Sequence, residues 1–274
     1  MTIRELVRWL HQHLRLLLLC VFLILPAVSF ILSSAVIMAY IFWPTDLSRI
    51  TMSSIDPAAE NVVLLAHGLN DNPSSWSTEL KYQFEQHLLK EQETSQVIAL
   101  DWNPYSKSAL RCSVHGKRIG AAIGYQMAKS TRLKSAHLIG HSCGAFVILG
   151  LCEILKSERS DIQIQDTYLA PVNIYGGIVW NYGSSHFGTC ASFSDTYFDR
   201  DDTIGENRAT VHSYIYDITD ARKKLVERVS PHIWPTIYYR QLVESGLYPN
   251  LRNSTNLPKT FMPEDLKVVK DTRS

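Results

Sequence analysis

The sequence predicts an α/β fold in which helices cover both faces of a mostly parallel sheet, with one transmembrane helix at the N-terminus. Three observations lead to this prediction. Short β-branched apolar runs alternate with stretches of helical periodicity, which is typical of parallel sheets because their crossover connections are helical. A glycine-flanked turn at residues 140–144 separates one such run from a helical stretch. Residues 16–43 form an uncharged segment of 28 residues.

The composition suits one globular domain and argues against several classes of protein. The chain has 274 residues, 46% of them apolar, which is enough for a hydrophobic core of ordinary size. A net charge of +1 gives no reason to expect a nucleic-acid partner. No CxxC pair is present, so a zinc ribbon is not expected. Cys112 and Cys190 could form a disulfide in an oxidising compartment, and free thiols at Cys112, Cys143, Cys152 and Cys190 are the open alternative.

Residues 16–43 are predicted to anchor the protein in a membrane. A helix needs about 20 apolar residues to cross the hydrocarbon core, whereas the apolar region of a signal peptide has about 7–15. Three arginines precede the segment, Arg4, Arg8 and Arg15, and the charges just after it nearly cancel. The positive-inside rule therefore predicts a cytoplasmic arm at residues 1–15 and a domain on the exported side, which is periplasmic, lumenal or extracellular. A cleaved leader and a hairpin bent at Pro26 are the alternatives.

The rest of the chain is predicted to contain a linker at residues 44–60, a globular domain at 61–248 and a polar tail at 249–274. Apolar or alternating runs predict strands at 61–66, 96–100, 136–140, 162–169 and 210–217. Helical periodicity predicts helices at 73–90, 113–129, 145–155, 220–229 and 232–245. The spacing of the acidic residues at 195–206 does not match a calcium-binding EF-hand loop, so a solvated turn is expected there.

The candidate nucleophile is Ser142, in the sequence Gly140-His141-Ser142-Cys143-Gly144. A buried-strand run ends directly at Gly140, and a helical stretch begins directly after Gly144. A serine nucleophile on a sharp turn needs this strand–turn–helix context, which lifts its hydroxyl above the sheet. The glycines avoid side-chain collisions across the turn. A structural turn with an inert serine is the alternative interpretation.

Two backbone N–H groups are predicted to form an oxyanion hole beside the serine. One belongs to Cys143, directly after the nucleophile, and the other to Leu69, in the loop that follows the first predicted strand. Gly68 would let the backbone of this loop come close to a substrate. The imidazole of His67 is expected to have a structural role at the end of the strand.

Motifs spread over residues 62–240 resemble the pancreatic-lipase-like branch of the α/β-hydrolases. These motifs are His67-Gly68-Leu69, residues 97–102 ending in Asp101-Trp102, Arg118-Ile119-Gly120, residues 137–142, residues 211–213 and residues 231–235. The resemblance implies an α/β-hydrolase fold and hydrolysis of carboxylic esters, lipids among them, through an acyl-enzyme on Ser142. It also implies that the reaction needs no metal ion or other cofactor.

His232 is the predicted general base. The order along the chain in this fold is serine, acid, histidine, which leaves His186, His212 and His232. His186 lies in a glycine-rich loop and His212 inside a predicted strand. His232 follows the last predicted strand and precedes an aromatic helix, as the family's histidine does. It would take the proton from Ser142 and return it to the leaving alcohol.

The triad acid departs from the family pattern. The family has a Leu-Asp-Pro sequence after the strand that follows the elbow helix, where this chain has Leu169-Ala170-Pro171. In the wider fold the acid commonly sits at the end of the next strand, and Asp217 ends the next predicted strand. Asp217 therefore ranks first, Asp220 and Asp202 follow, and a Ser–His dyad comes last. The alternative interpretation is that Asp217 only caps a helix.

Three functions are compatible with these residues. The first is a membrane-anchored esterase or lipase. The second is an acyltransferase with the same nucleophile, which the sequence does not separate from the first. The third is a catalytically inactive hydrolase fold that serves as a binding module, suggested by the alanine at the family's acid position. Residues 175–188, with Trp180, Tyr182 and Phe187, are expected to form a wall of the acyl pocket.

A reporter fusion tests the predicted orientation. Because three arginines precede the apolar segment, a reporter enzyme that is active only after export should be active when fused after Ser274. The control carries Arg4→Gln, Arg8→Gln and Arg15→Gln, which remove the charge bias and should lower the reporter activity. Activity of only a cytoplasm-specific reporter at the same position would show the opposite orientation.

Overall fold

The computed structural model describes residues 2–50, 54–90, 94–205, 210, 212–251 and 268–270. The chain divides into two compact units, Met1–Pro44 and Thr45–Ser274. The first unit contains the apolar N-terminal segment and the second contains the sheet. The boundary lies at the start of the predicted linker.

The N-terminal unit is helical from residue 3 to residue 42. It consists of α1 (Ile3–Leu19), a π-helical turn (Cys20–Ile24) and α2 (Leu25–Phe42). This helix is long and apolar enough to cross a membrane. A signal sequence near the N-terminus meets the same criteria of length and composition. The predicted arm at residues 1–15 is therefore helical from Ile3 onwards, as an extension of the apolar segment.

Pro26 does not bend the helix back on itself. Proline has no N–H to donate, so one helical hydrogen bond is lost at this position. The π-helical turn just before it pairs the Leu25 N–H with the Cys20 carbonyl, an adjustment that keeps neighbouring backbone groups satisfied. The helix continues through Pro26, and the alternative of a hairpin bent there is wrong.

In the described part of the chain, seven strands form one parallel sheet in the order β2-β1-β3-β4-β5-β6-β7. The strands are β1 (Asn61–Ala66), β2 (Ser95–Leu100), β3 (Ser135–His141), β4 (Gln163–Leu169), β5 (Phe193–Phe198), β6 (Tyr214–Asp217) and β7 (Val268–Lys270). The helices of this unit are α3 (Ser77–Lys90), α4 (Cys112–Met127), α5 (Gly144–Glu158), α6 (Tyr182–His186), α7 (Thr219–Lys223) and α8 (Trp234–Glu244). β1 to β4 begin and end within one residue of the predicted strands.

Strand β1 shows how the sheet separates two hydrophobic cores. Val62, Leu64 and Ala66 belong to one buried cluster, and Val63 and Leu65 belong to the other. Successive side chains of a strand point to opposite faces, so a fully apolar strand is buried on both sides. α4 and α5 contribute to the first cluster, and α3 and α8 to the second. The predicted α/β fold with helices on both faces is confirmed.

Strand β5 was not among the predicted strands. Its centre is polar but buried, and hydroxyl groups of neighbouring strands and loops bond to it: Thr167 donates to Asp195 at 2.6 Å, and the Thr196 and Ser213 hydroxyls are 2.8 Å apart. The solvated turn expected for residues 195–206 is therefore wrong at Asp195, which lies inside the sheet, and at Asp199, which is also buried.

The described residues of the predicted linker and tail pack on the sheet unit. In the linker, Ile50 and Ala59 join the first hydrophobic cluster, and the Asp56 N–H donates to the Gln96 side chain at 2.9 Å. In the tail, the Leu251 N–H donates to Gln165 Oε1 at 2.9 Å, and β7 pairs with β6. The described parts of both segments thus contact the sheet unit.

Helices α4 and α5 pack at glycine positions. A Cβ added to Gly120 in α4 would lie 1.8 Å from the Val147 carbonyl oxygen, and one added to Gly150 in α5 would lie 2.0 Å from the Lys117 carbonyl oxygen. Real side chains cannot occupy such positions, so the two backbones approach each other more closely than any other residue type would allow. The pair supports the loops that carry the site.

Alanine substitution in α4 tests this contact. Gly120→Ala places a methyl group against a backbone oxygen that cannot rotate away, so the free energy of unfolding should fall by about 1–3 kcal/mol or more. Gly116→Ala is the matched control, because its nearest contact would be 3.3 Å and both substitutions gain the same helix propensity. Urea unfolding of the full-length protein in detergent measures both, and equal midpoints for the two variants would contradict the prediction.

Candidate active site

Ser142 lies on a sharp turn between β3 and α5. Its φ is +54°, in the left-handed region that is unfavourable for residues with a side chain. The Ser142 N–H donates to the Leu169 carbonyl at 3.0 Å, which continues the pairing of β3 with β4 into the turn. A Cβ on Gly140 would lie 2.7 Å from the Gly144 carbonyl, and one on Gly144 would lie 2.2 Å from the Ala66 carbonyl. Both glycines are therefore required by the close packing of the turn.

Three side chains from separate loops form one line of hydrogen bonds. Ser142 Oγ lies 2.9 Å from His232 Nε2, and His232 Nδ1 lies 2.7 Å from Asp202 Oδ2. His232 comes just before α8, and Asp202 is in the loop after β5. The serine and histidine predicted from the sequence are thus brought together, and the carboxylate at the histidine is Asp202, one of the two acids ranked behind Asp217.

Asp202 is buried and held by backbone donors. The Ile204 N–H donates to Oδ1 at 2.9 Å, and the Gly205 N–H donates to Oδ2 at 3.1 Å. Burial alone raises the pKa of this carboxyl, but the hydrogen bonds from His232 and from the two N–H groups outweigh it and hold the pKa below its usual value. The ionised carboxylate accepts a hydrogen bond from the Nδ1–H of His232, which leaves Nε2 without a proton and able to accept the hydrogen bond of the Ser142 hydroxyl.

Asp217 is not beside the histidine. Its Oδ1 accepts hydrogen bonds from the N–H and the hydroxyl of Thr219, at 3.1 and 2.6 Å, at the start of α7. Its Oδ2 pairs with Arg200 at 2.7 Å, and Asp220 pairs with the same arginine at 3.2 Å. The prediction that Asp217 is the carboxylate at His232 is therefore wrong, and the alternative of a helix-capping aspartate describes it.

The two other candidate histidines lie elsewhere. His186 is in α6, where its ring stacks on Tyr182 at 4.0 Å and its Nδ1 bonds to the Tyr182 carbonyl at 2.7 Å. His212 precedes β6 instead of lying inside it, because the strand begins only at Tyr214. Chain order and placement before an aromatic helix were sufficient to select His232 from the three.

The loop 67–69 packs directly on the nucleophile. A Cβ on Gly68 would lie 2.9 Å from the Ser142 Cβ, and both Leu69 and Cys143 line the cavity at the serine. His67 is fully buried, and its carbonyl accepts a hydrogen bond from the Trp102 indole at 2.9 Å. Burial lowers the pKa of His67, so its imidazole is a neutral structural group, as expected. The roles of the Leu69 and Cys143 N–H groups stay predictions.

A cavity of about 720 Å³ opens at Ser142, a volume typical of small-molecule sites. Most of its wall is apolar and comes from Leu69, Trp76, Val172, Ile174, Ile233 and Ile237. Its polar part includes Asp71 and an ion pair between Glu79 and Arg240. The site therefore offers an apolar surface beside the serine and charged groups within the same cavity.

The expected wall at residues 175–188 is not part of this lining. Phe187 is fully buried against Phe146 and Tyr168 in the first hydrophobic cluster, and Tyr182 stacks on Tyr175. Trp180 is 74% exposed. Among the described residues, the segment that does line the cavity lies just before this loop, at Val172 and Ile174. The aromatic residues were misassigned because composition alone does not show which face of a loop is covered.

His141 is a residue of the site that the sequence reasoning did not single out. It is buried beside Ser142, and its Nε2 lies 3.0 Å from the His232 carbonyl, to which it donates. Burial, and secondarily the charge of His232, lower the pKa of His141 to about 4, so the ring is neutral at neutral pH. It holds the backbone of the histidine loop. Its position directly before the serine was the available signal.

Two disulfides occur among the described residues. Cys112 is bonded to Cys143, and Cys152 to Cys190, with Cα–Cα distances of 6.0 and 5.9 Å that lie in the usual range for disulfides. The Cys112–Cys190 pairing that the sequence left open is therefore wrong, and so is the alternative of four free thiols. The Cys112–Cys143 bond lies next to the candidate nucleophile.

One group of side chains has the composition of a metal site. Potential ligand atoms of Cys152, Asp166 and Cys190 lie within 4.8 Å of one another. The two sulfurs are joined in a disulfide, which leaves one carboxylate as an available ligand. Burial raises the pKa of Asp166 well above its usual value, and the Tyr168 hydroxyl donates to it at 3.0 Å. The group is therefore a buried hydrogen-bonded cluster.

Comparisons with known proteins give weak similarities. No protein-family model matches the chain, and no curated protein matches it. A lipase-esterase related protein from Clostridium acetobutylicum ATCC 824 is 10% identical, with 69% of this chain and 94% of that chain covered and a TM-score of 0.42. An esterase from Pyrococcus furiosus is 18% identical, with 69% and 83% covered and a TM-score of 0.40. An alpha-beta serine hydrolase homologue from Coxiella burnetii is 11% identical, with 72% and 88% covered and a TM-score of 0.36.

The fold is recognisable from the chain's own features. A parallel sheet carries a serine on a strand–turn–helix elbow, and the order of the three bonded residues along the chain is Ser142, Asp202, His232. These are the features of the α/β-hydrolase fold.

Paired substitutions test the position of the acid. Asp202→Asn should lower kcat for p-nitrophenyl ester hydrolysis by about 10⁴, because an amide stabilises the wrong imidazole tautomer. Asp217→Asn is the matched control and should change kcat by less than about threefold, because it affects a partly exposed ion pair and a helix cap. Circular dichroism melting checks that both variants are folded. A greater loss of kcat in Asp217→Asn than in Asp202→Asn would restore the assignment made from the sequence.

Proposed function

We propose that this protein is a membrane-anchored serine hydrolase that cleaves carboxylic esters, lipids among them, through an acyl-enzyme on Ser142. The observation that carries the proposal is the line of hydrogen bonds from Asp202 through His232 to Ser142, at 2.7 and 2.9 Å. The serine faces a cavity large enough for a substrate. A nucleophile, a base and a group that orients the base are thus in bonding reach of one another, as covalent catalysis by a hydroxyl requires.

The first half-reaction forms the acyl-enzyme. Ser142 Oγ attacks the carbonyl carbon of the ester while its proton passes to His232 Nε2. The ionised Asp202 stabilises the imidazolium that results. The tetrahedral intermediate then collapses: the bond from carbon to the alcohol oxygen breaks, and the alcohol leaves with the proton from Nε2. The acyl group remains on the serine as an ester.

The second half-reaction releases the acid. His232 takes a proton from a water molecule, whose oxygen attacks the acyl carbon, and the intermediate expels Ser142 Oγ, which recovers the proton from Nε2. An alcohol in place of water would give a new ester, so an acyltransferase would use the same steps. Product analysis with added alcohol acceptors distinguishes the two reactions.

The negative charge of the intermediates would be stabilised by the N–H groups of Leu69 and Cys143. Both residues line the cavity at the serine. The close contact of Gly68 with Ser142 places the loop that carries Leu69 against the nucleophile. Preorganised donors of this kind contribute about 10²–10³ in kcat each. They act on the oxyanion and not on the ground-state ester, so they affect kcat more than KM.

The lining of the cavity supports an ester with an apolar acyl group. Leu69, Val172, Ile174 and Ile233 offer hydrocarbon surface near the serine, and burial of a methylene group contributes about 0.8 kcal/mol. The Glu79–Arg240 ion pair in the same cavity would contact the polar part of a substrate. This arrangement fits an amphiphilic ester better than a short polar one.

The anchor and its orientation are part of the proposal. Residues 16–43 would cross the membrane, with the three arginines of the N-terminal residues on the cytoplasmic side. The two disulfides of the sheet unit support an exported location, because disulfides form and persist in oxidising compartments. The catalytic unit would then act on the exported side of the membrane.

The alternative of an inactive binding module is less well supported. It arose from Ala170, which stands at the family's acid position. In the structure Asp202 reaches His232 from the loop after the neighbouring strand β5, so the histidine has a carboxylate partner. The line of hydrogen bonds from Asp202 to Ser142 therefore favours catalysis over this alternative.

Removal of the serine hydroxyl tests the proposed function. Ser142→Ala should lower kcat for p-nitrophenyl esters by about 10⁶, because only the rate enhancement from binding and the oxyanion hole remains. It should also abolish labelling by a fluorophosphonate probe while the melting temperature stays unchanged. Ser135→Ala removes a partly buried hydroxyl at the opposite end of β3, which donates to Asn61 Oδ1 at 2.7 Å, and it should keep both activities. Full labelling of the Ser142→Ala variant would remove the central claim.

A further inference from the structure

Cys143 is covalently tied at the point where the oxyanion hole would form. It follows Ser142 directly, and its sulfur is bonded to Cys112, the first residue of α4. Both cysteines are 2% exposed, and both line the cavity. The disulfide is therefore part of the wall that faces the substrate, and it joins the residue after the nucleophile to a different helix.

The backbone around Cys143 needs such a support. Ser142 has a φ of +54°, and strained backbone persists only where the surrounding structure holds it on both sides. On the N-terminal side, the Ser142 N–H bonds to the Leu169 carbonyl at 3.0 Å. On the C-terminal side, Cys143 stands at the start of α5, where the helix itself leaves N–H groups without an intrahelical acceptor. The Ser142 carbonyl accepts the Val172 N–H at 3.3 Å and the Ala145 N–H at 3.2 Å. The disulfide adds a covalent attachment at Cys143 itself.

The start of helix α4, to which the disulfide attaches Cys143, is held in place by its own hydrogen bonds. Its first N–H, that of Cys112, bonds to the Ser108 carbonyl at 2.8 Å, and the hydroxyl of Ser113 accepts the Gly176 N–H at 2.9 Å. Further along, Gly120 packs against the backbone of α5 so closely that no Cβ fits. The start of α4 is thus positioned by contacts that do not involve the elbow.

We propose that the Cys112–Cys143 disulfide is a positioning element for the reaction, which holds the Cys143 N–H in the orientation that binds the oxyanion. This inference rests on the proposed function of Ser142. An N–H that is only slightly misdirected binds a tetrahedral oxyanion less well but leaves binding of the ground-state ester nearly unchanged. The disulfide therefore affects kcat and has little effect on KM.

The second disulfide is an internal control of similar size. Cys152–Cys190 closes a loop with a sequence separation of 38, against 31 for Cys112–Cys143, so both bonds restrict the unfolded chain to a similar extent. It joins α5 to the segment before β5, next to Asp166, and neither of its cysteines lines the cavity at Ser142. Its loss should affect stability alone.

The experiment compares two double variants of the full-length protein in detergent. Cys112→Ser/Cys143→Ser and Cys152→Ser/Cys190→Ser should lower the melting temperature by similar amounts. Only the first should lower kcat for p-nitrophenyl butyrate, by about tenfold or more, with KM within about twofold of wild type. Its affinity for an alkyl boronic acid, which mimics the tetrahedral intermediate on the serine, should fall by the same factor as kcat.

Chemical reduction gives the same test without a substitution at the elbow. In the Cys152→Ser/Cys190→Ser variant, dithiothreitol can reduce only the Cys112–Cys143 bond among the described cysteines: it transfers two electrons and two protons, yields two thiols and becomes a cyclic disulfide. The expected result is the same fall in kcat, reversed on reoxidation. This arm applies even if the first double variant does not fold.

The outcomes separate this inference from the proposed function. An inactive, unlabelled wild-type protein would overturn the proposed function and this inference with it. An active wild type whose kcat is unchanged by loss of the Cys112–Cys143 bond would overturn only the positioning role. Equal losses of kcat in both double variants, or a rise in KM with constant kcat, would also overturn it, because a general loss of stability or a changed acyl wall would explain them. Peptide mapping without reduction should find Cys112 joined to Cys143, and another pairing would contradict the inference.

Discussion

The hydrogen bond between His232 and Asp202 is the contact on which the candidate site depends, because it orients the imidazole toward the serine. Its carboxylate is held by two backbone N–H groups and by the geometry of the loop after β5. The same loop is anchored by Asp199, a buried carboxylate that Arg222 contacts at 2.5 Å. These hydrogen bonds and the Asp199–Arg222 ion pair thus hold the loop that places the Asp202 carboxylate beside Nδ1 of His232.

The sheet explains how the acid can come from another strand than in the resembled family. The carboxyl ends of parallel strands meet at the same edge, so loops after neighbouring strands reach the same space. Ala170, which follows β4, lies beside the loop after β5: a Cβ on Gly205 would be 2.9 Å from the Ala170 carbonyl. The histidine therefore meets a carboxylate although the family's acid position holds alanine. The site requires a carboxylate beside Nδ1 of His232. In this fold the loops after more than one strand can place a carboxylate there.

The wrong choice of acid had a specific cause in the sequence reasoning. Hydrophobic periodicity does not reveal β5, because its buried centre of Ser194, Asp195 and Thr196 lacks the apolar pattern of the other strands. The next recognisable strand was β6, which ends in Asp217. With β5 counted, the rule that the acid ends the next strand leads to the loop that contains Asp202. Buried polar residues are invisible to hydrophobic periodicity, since their partners lie on other strands and loops.

The sequence alone determined the apolar span, the strands β1 to β4, the elbow at Ser142 and the choice of His232. Each of these depends on neighbours along the chain: an uncharged run, a β-branched run, a pair of glycines around a serine, or the order of residues. Tertiary structure alone decided the acid, the cavity wall and the cysteine pairs. Asp202 and His232 are 30 residues apart, and the bonded cysteines are separated by 31 and 38. Such contacts depend on distances in the folded chain, and four cysteines permit several pairings that no local pattern can rank.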